Sequence, residues 1–176
     1  MSDRLRLDLV LNDFVAGALA SKRINILSDG TPWRPLIHVQ DMARAIDWAV
    51  QRDCRDGGSF LTINVGSETW NYQVKDLAAA VANLVPDVEV SINKDAQPDK
   101  RSYRVNFEKF SKLAQGFLPM VDLQSAVKDL RDGLMAMQFR DHEFRTGELI
   151  RLVTLKRLRE SGQLTDGLVW KERSST

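Results

Sequence analysis

Apolar residues recur through positions 5–20 at Leu7, Val10, Leu11, Phe14, Val15, Ala18 and Leu19. That three-to-four-residue spacing predicts an amphipathic helix with one face on a core. The period then changes. RINILS (23–28) is short and alternates, as a strand does, and Asp29-Gly30-Thr31-Pro32 is turn chemistry. PLIHV (35–39) predicts a second strand, and DMARAIDWAVQ (41–51) a helix with Asp41 where a carboxylate suits the free N–H groups of a first turn. Beyond Gly57-Gly58, SFLTINVG (59–66) predicts a strand, QVKDLAAAVANLV (73–85) a helix stopped by Pro86, and VEVSI (88–92) another strand. Residues 93–99 are polar and loop-like, and SYRVNF (102–107) is strand-like. A helix starts near Glu108, and VDLQSAVKDLRDGLMAMQ (121–138) predicts a further one.

Short strands alternating with helices predict an α/β fold. The strands are too few and too short for a complete doubly wound nucleotide-binding domain. From about residue 139 the character shifts to a helix rich in leucine and arginine, with Leu152, Val153, Leu155 and Leu158 among Arg151, Lys156, Arg157 and Arg159. Such a helix can lie on a membrane, meet a partner or dock on its own domain, and its mixed charges favour docking. The organisation expected is therefore an α/β portion over 1–134 and a helical extension over 135–176.

Bulk composition narrows the class. Of 176 residues, 43% are hydrophobic and 28% charged, which is the profile of a globular chain rather than a disordered one. The net charge of +1 gives no electrostatic reason for a nucleic-acid partner. Cys54 is the only cysteine, so neither an internal disulfide nor a cysteine-based zinc site is expected. No run approaches the ~20 apolar residues that span a bilayer, and no signal-peptide pattern opens the chain. The expectation is a cytoplasmic protein with no membrane or nucleic-acid partner and no metal.

The standard catalytic signatures are absent from the sequence. None of its ten glycines falls in a G-x-G-x-x-G turn or a phosphate loop. Tyr72 is followed four residues later by Asp76 and Tyr103 by Phe107, so neither heads a Tyr-x-x-x-Lys pair. His38 and His142 lack metal-ligand spacing, and His38 in its apolar setting reads as structural. What remains is polar chemistry at strand ends. Arg34 offers a planar fork that grips phosphate at two points, or an ion pair to a carboxylate such as Asp41. Asn71 suits a ligand contact or a turn. Arg101 precedes a strand in a charged loop. Trp33 and Trp70 flank these positions, fit either for stacking on a ring or for core packing. Cys54 is assigned no role.

In chain order, LVLNDFV, INILSDG, WRPLIHVQDMARAI, INVGSETWNYQVKDLAAAV and PDKRSYRVNFEKF resemble the C-terminal, substrate-binding half of extended short-chain dehydrogenases/reductases. These are the NAD-dependent nucleotide-sugar epimerases and dehydratases. Arg34, Ile37, His38, Val39 and Asp41 resemble the specific R-x-x-I-H-V-x-D block. The resemblance covers about residues 4–134. It implies that Arg34 reaches the diphosphate of a nucleotide sugar, that Asn71 contacts the nucleotide and that Arg101 adds to the phosphate grip. It also implies that the strand at Asn25 and Leu27 borders the base through its backbone, and that Asp8 and Val10 lie beside the same site. NAD(P), implied for the full-length family, would be held by an N-terminal Rossmann unit whose glycine-rich turn is missing here, along with the Tyr-x-x-x-Lys pair. Two expectations follow. One is a nucleotide-sugar-binding part of an isomerase, lyase or oxidoreductase that is not competent alone. The other is a stand-alone, non-catalytic nucleotide-sugar-binding, regulatory or assembly protein; a homo-oligomer is compatible with both.

Overall fold

The computed structural model describes residues 5–96 and 101–171. It is a mixed α/β chain. In order come α1 (Val10–Ser21), β1 (Arg23–Ile26), β2 (Trp33–Pro35), α2 (Val39–Gln51), β3 (Asn71–Gln73), α3 (Val74–Leu84), β4 (Glu89–Ile92), α4 (Glu108–Leu113), α5 (Leu123–Ala136) and α6 (Arg151–Glu160). β1 pairs in parallel with β4, Arg23 opposite Glu89 and Ile26 opposite Ile92. β2 and β3 form a separate antiparallel ribbon in which Arg34 is opposite Tyr72 and Pro35 opposite Asn71.

The main core lies where α1, α3 and α5 meet β1. Leu11, Phe14, Val15 and Ala18 of α1 are buried against Leu77, Ala78 and Val81 of α3 and Val127 and Leu134 of α5. These are the positions that the helical spacing picks out, since a stripe of this width must be covered to remove it from water. Phe144 is buried in the same core, with Phe139, Leu149 and Ile150 packed on it. The tail is also tied by Arg145, whose guanidinium donates to both oxygens of Asp13 on α1 at 2.8 and 2.9 Å. α6 carries no buried residue, so its basic positions face solvent. A second, smaller core gathers Ala45 and Trp48 of α2 with Phe110 and Ala114, and Trp48 meets Phe110 edge to face at 5.5 Å.

The first helix starts at Val10 rather than residue 5; Leu7, outside it, is nonetheless fully buried. The expected strand at 35–39 is only half formed. Leu36 continues the ribbon with one bond from its N–H to Trp70 O, but His38 leaves it to cap α2, its Nδ1 accepting from Gln40 N–H at 3.3 Å. The helix therefore takes Val39. Residues 59–66 and 102–107 are not strands either. Leu61, Ile63 and Val65 do alternate inward onto the Trp48 core, so the two-residue period is real, but no neighbouring strand among the described residues completes a ladder. Conversely, Asn71, expected in a turn before a helix, begins a strand. Gly66 is required by packing. A Cβ there would lie 2.6 Å from the Phe107 ring, and its φ of +155° is one that side chains rarely adopt.

No helix among the described residues is long and apolar enough to cross a membrane.

Candidate functional site

The β2–β3 ribbon and the segment 101–105 meet at one corner, and three of the expected site residues lie there. Arg34 sits mid-strand, its Nη1 donating to Trp33 O at 2.7 Å and to Arg101 O at 2.8 Å. Next to it, Trp33 N–H donates to Ser102 Oγ at 3.0 Å. Asn71 is 7% exposed, and its carboxamide takes both backbone groups of Val105, Nδ2 donating to the carbonyl at 3.0 Å and Oδ1 accepting the N–H at 2.9 Å. Glu68 extends the seam by accepting Phe107 N–H at 2.7 Å. A side chain and a short ribbon thus replace the missing strand partner of 102–107.

Asp41, the carboxylate considered as an ion-pair partner for Arg34, has a different use. It is 1% exposed, and its two oxygens accept Met120 N–H at 2.9 Å and Val121 N–H at 3.1 Å, with Arg44 Nε at 4.0 Å. The first-turn position that the sequence suggests for capping its own helix instead anchors the loop before α5. Trp70 joins the same loop through Nε1 to Val121 O at 3.1 Å. It is buried, which answers the choice between stacking and packing in favour of packing. His38 serves as a helix cap, with Nε2 3.8 Å from Asp129.

The remaining expected residues lie on other elements. Asp8 receives a two-point fork from Arg6 at 2.7 and 3.0 Å, a hydrogen bond that holds its carboxyl below the usual aspartate value against the opposing effect of burial. Val10 is the first residue of α1. Asn25 on β1 accepts from Ser91 Oγ at 2.8 Å, and Leu27, just past that strand, is 84% exposed. Residues 98–100, which open the PDKRSYRVNFEKF stretch, fall outside the described residues.

One further residue belongs to the corner. The Arg104 guanidinium lies 4.7 Å above the centre of the Trp33 ring. No periodicity marks Arg104 in the sequence, because the contact joins two segments far apart in the chain. A cleft of about 220 Å³ opens between Pro35, Ile37, Asn64, Tyr103 and Val105. A second cleft, of about 280 Å³, lies between His38, Leu9, Asn12 and Asp129. A broader one, of about 580 Å³, is bordered by Tyr72, Asn83, Asp122 and Gln124. Burial, and after it the charge of Asp122, pushes the Tyr72 phenol above its ordinary value. Among the described residues no group of three His, Cys, Asp or Glu is placed to hold a metal ion.

Chemically, the described part of the corner gathers guanidinium-bearing residues from two distant segments onto one hydrogen-bonded seam. Residues 4–66 match the model of the NAD dependent epimerase/dehydratase family. The matched stretch contains Arg34, Asp8, Val10, Asn25 and Leu27 and ends at Gly66, before Asn71 and Arg101.

Proposed function

We propose that, given a family match containing Arg34, this chain is the nucleotide-sugar-binding part of an NAD-dependent epimerase or dehydratase. It binds the nucleoside diphosphate through Arg34 and Arg101 and does not turn over alone. The observation that carries this reading is the seam at which the Arg34 side chain meets the Arg101 backbone at 2.8 Å, bringing two arginines from distant segments to one corner. Asn71 contributes by fixing 101–105 against the ribbon, since a direct nucleotide contact would exchange its two bonds to Val105. The backbone at Asn25 and Leu27 borders the base, and Asp8 and Val10 flank the site.

NAD(P) does not fit the residues described. Holding its pyrophosphate takes a parallel strand running through a glycine turn into a helix N-terminus. Here the Gly30 turn after β1 leads into β2, and Gly57 and Gly58 lead into extended chain.

The reading of a part rather than a whole draws support from α2. Val39, Met42, Ile46 and Val50 are 50%, 48%, 60% and 80% exposed on one stripe, with Ala43 and Ala49 between them. A continuous apolar helix face in water is the kind of surface that another unit covers.

Titration with a panel of nucleoside diphosphate sugars tests the proposal. Arg34→Ala is expected to weaken binding by about 1.5–3 kcal/mol, the range for hydrogen bonds to a charged group. Unchanged affinity in that variant would remove Arg34 from the site, and no binding by the parent chain would end the proposal.

A further inference from the structure

The guanidiniums at the corner are held differently. Arg34 directs Nη1 at two backbone carbonyls, so part of its fork already serves to join the segments. Arg104 is exposed, and among the described residues its contact is the Trp33 ring. A guanidinium held over a ring by cation–π attraction still has N–H groups to offer a ligand. The contact also restricts a long side chain, which reduces the rotamer entropy lost when a ligand arrives. Trp33 is itself positioned, because its N–H is bound to Ser102 and it neighbours Arg34 in β2. None of residues 33–35 or 101–105 is acidic, and three of them are arginines.

We infer that Arg104, held over the Trp33 ring on the segment whose backbone at Arg101 meets Arg34, is an anion-binding residue of this corner and donates to the non-bridging oxygens of a phosphoanhydride. The inference rests on the function proposed above and names the residue whose donors are best prepared for that ligand. Lysine at 104 would keep the charge but lose the planar fork. A serine or leucine at 33 would leave the arginine in place but free its orientation.

The test titrates the full chain, by calorimetry, with inorganic pyrophosphate and separately with UDP-glucose, for the parent, Arg104→Lys and Trp33→Leu. Circular dichroism of each variant checks that the exposed Arg104 and half-buried Trp33 substitutions leave the fold intact. Loss of about tenfold or more in pyrophosphate affinity with Arg104→Lys, with a loss in the same direction for Trp33→Leu, is the expected result. Parent-like affinity of Arg104→Lys for both probes overturns the inference while leaving the proposed function standing. Arg104-dependent binding of pyrophosphate without binding of UDP-glucose upholds the inference and counts against a UDP-sugar ligand. Failure of the parent to bind either probe overturns both.

Discussion

Asn71 holds Val105 as a neighbouring strand would, donating to its carbonyl at 3.0 Å and accepting its N–H at 2.9 Å from one buried carboxamide. The segment carrying Arg101 and Arg104 is thereby attached to the ribbon carrying Arg34. Asn71→Ala leaves both backbone groups of Val105 without these partners. The expected cost is about 1–3 kcal/mol, with a fall in Tm of about 2–4 °C per kcal/mol for a chain of this size. Thermal unfolding measures it. Anion affinity should fall in parallel, and a variant as stable as the parent would show that the seam does not depend on this residue.

Asp41 predicts a second sensitive position. Both of its oxygens accept backbone N–H groups inside the fold, and asparagine offers only one acceptor while aiming its NH₂ at the other donor. Asp41→Asn is expected to destabilise by about 1–3 kcal/mol in urea unfolding. Arg44, 4.0 Å away, would also lose its carboxylate. A midpoint equal to the parent's would refute this account of the 120–121 loop.

Gly66→Ala should behave as overpacking. Its new methyl carbon meets the buried Phe107 ring at 2.6 Å, so the ring or the loop must move, at about 1–3 kcal/mol. Combining it with Phe107→Leu, which vacates ring volume, should recover part of that loss if the clash is the cause.

Acid sensitivity is expected at the start of α5. Asp122 accepts Ser125 N–H at 2.7 Å, and that hydrogen bond holds its carboxyl below the ordinary aspartate value in the folded state. A carboxyl with a depressed folded pKa gives its full stabilisation above the ordinary aspartate range. It loses that stabilisation as pH falls through the folded value. Asp122→Ala should therefore be less stable than the parent near neutrality and approach it in acid, a convergence visible in unfolding curves taken from pH 7 down to pH 2.

The α2 stripe makes the opposite kind of prediction. Ile46 is 60% exposed, so Ile46→Lys should change stability by no more than about 0.5 kcal/mol while reducing binding of a hydrophobic dye and self-association in light scattering. A large loss of stability would mean that the residue is packed against this same chain.

The helices were legible because their spacing has a single physical cause, the need to cover an apolar stripe, and α1, α3 and α5 bury the residues that spacing selects. Pairing was not legible. The match of β1 with β4, and the absence of one for 59–66 among the described residues, depend on which segments meet in space, whereas alternation reports only which side faces inward. His38 is extended, as its apolar surroundings suggest, yet it serves as a helix cap. At the site, Arg34 and Arg101 stand out in the sequence as fork-bearing side chains near strand ends. The cation–π contact of Arg104 with Trp33 joins distant segments and leaves no local signature.

The parallel bond between β1 and β4 also has a kinetic meaning. Closing it encloses α2, the β2–β3 ribbon and α3 in one long loop, so forming the ladder carries the closure entropy of that loop. Within that loop the exposed turn around Cys54, Gly57 and Gly58 lies outside the main core. Because closure entropy grows only with the logarithm of length, each doubling adding about 0.6 kcal/mol, extra residues there would burden the ladder little. The turn is the place where this chain can be lengthened with least disturbance to its arginine corner.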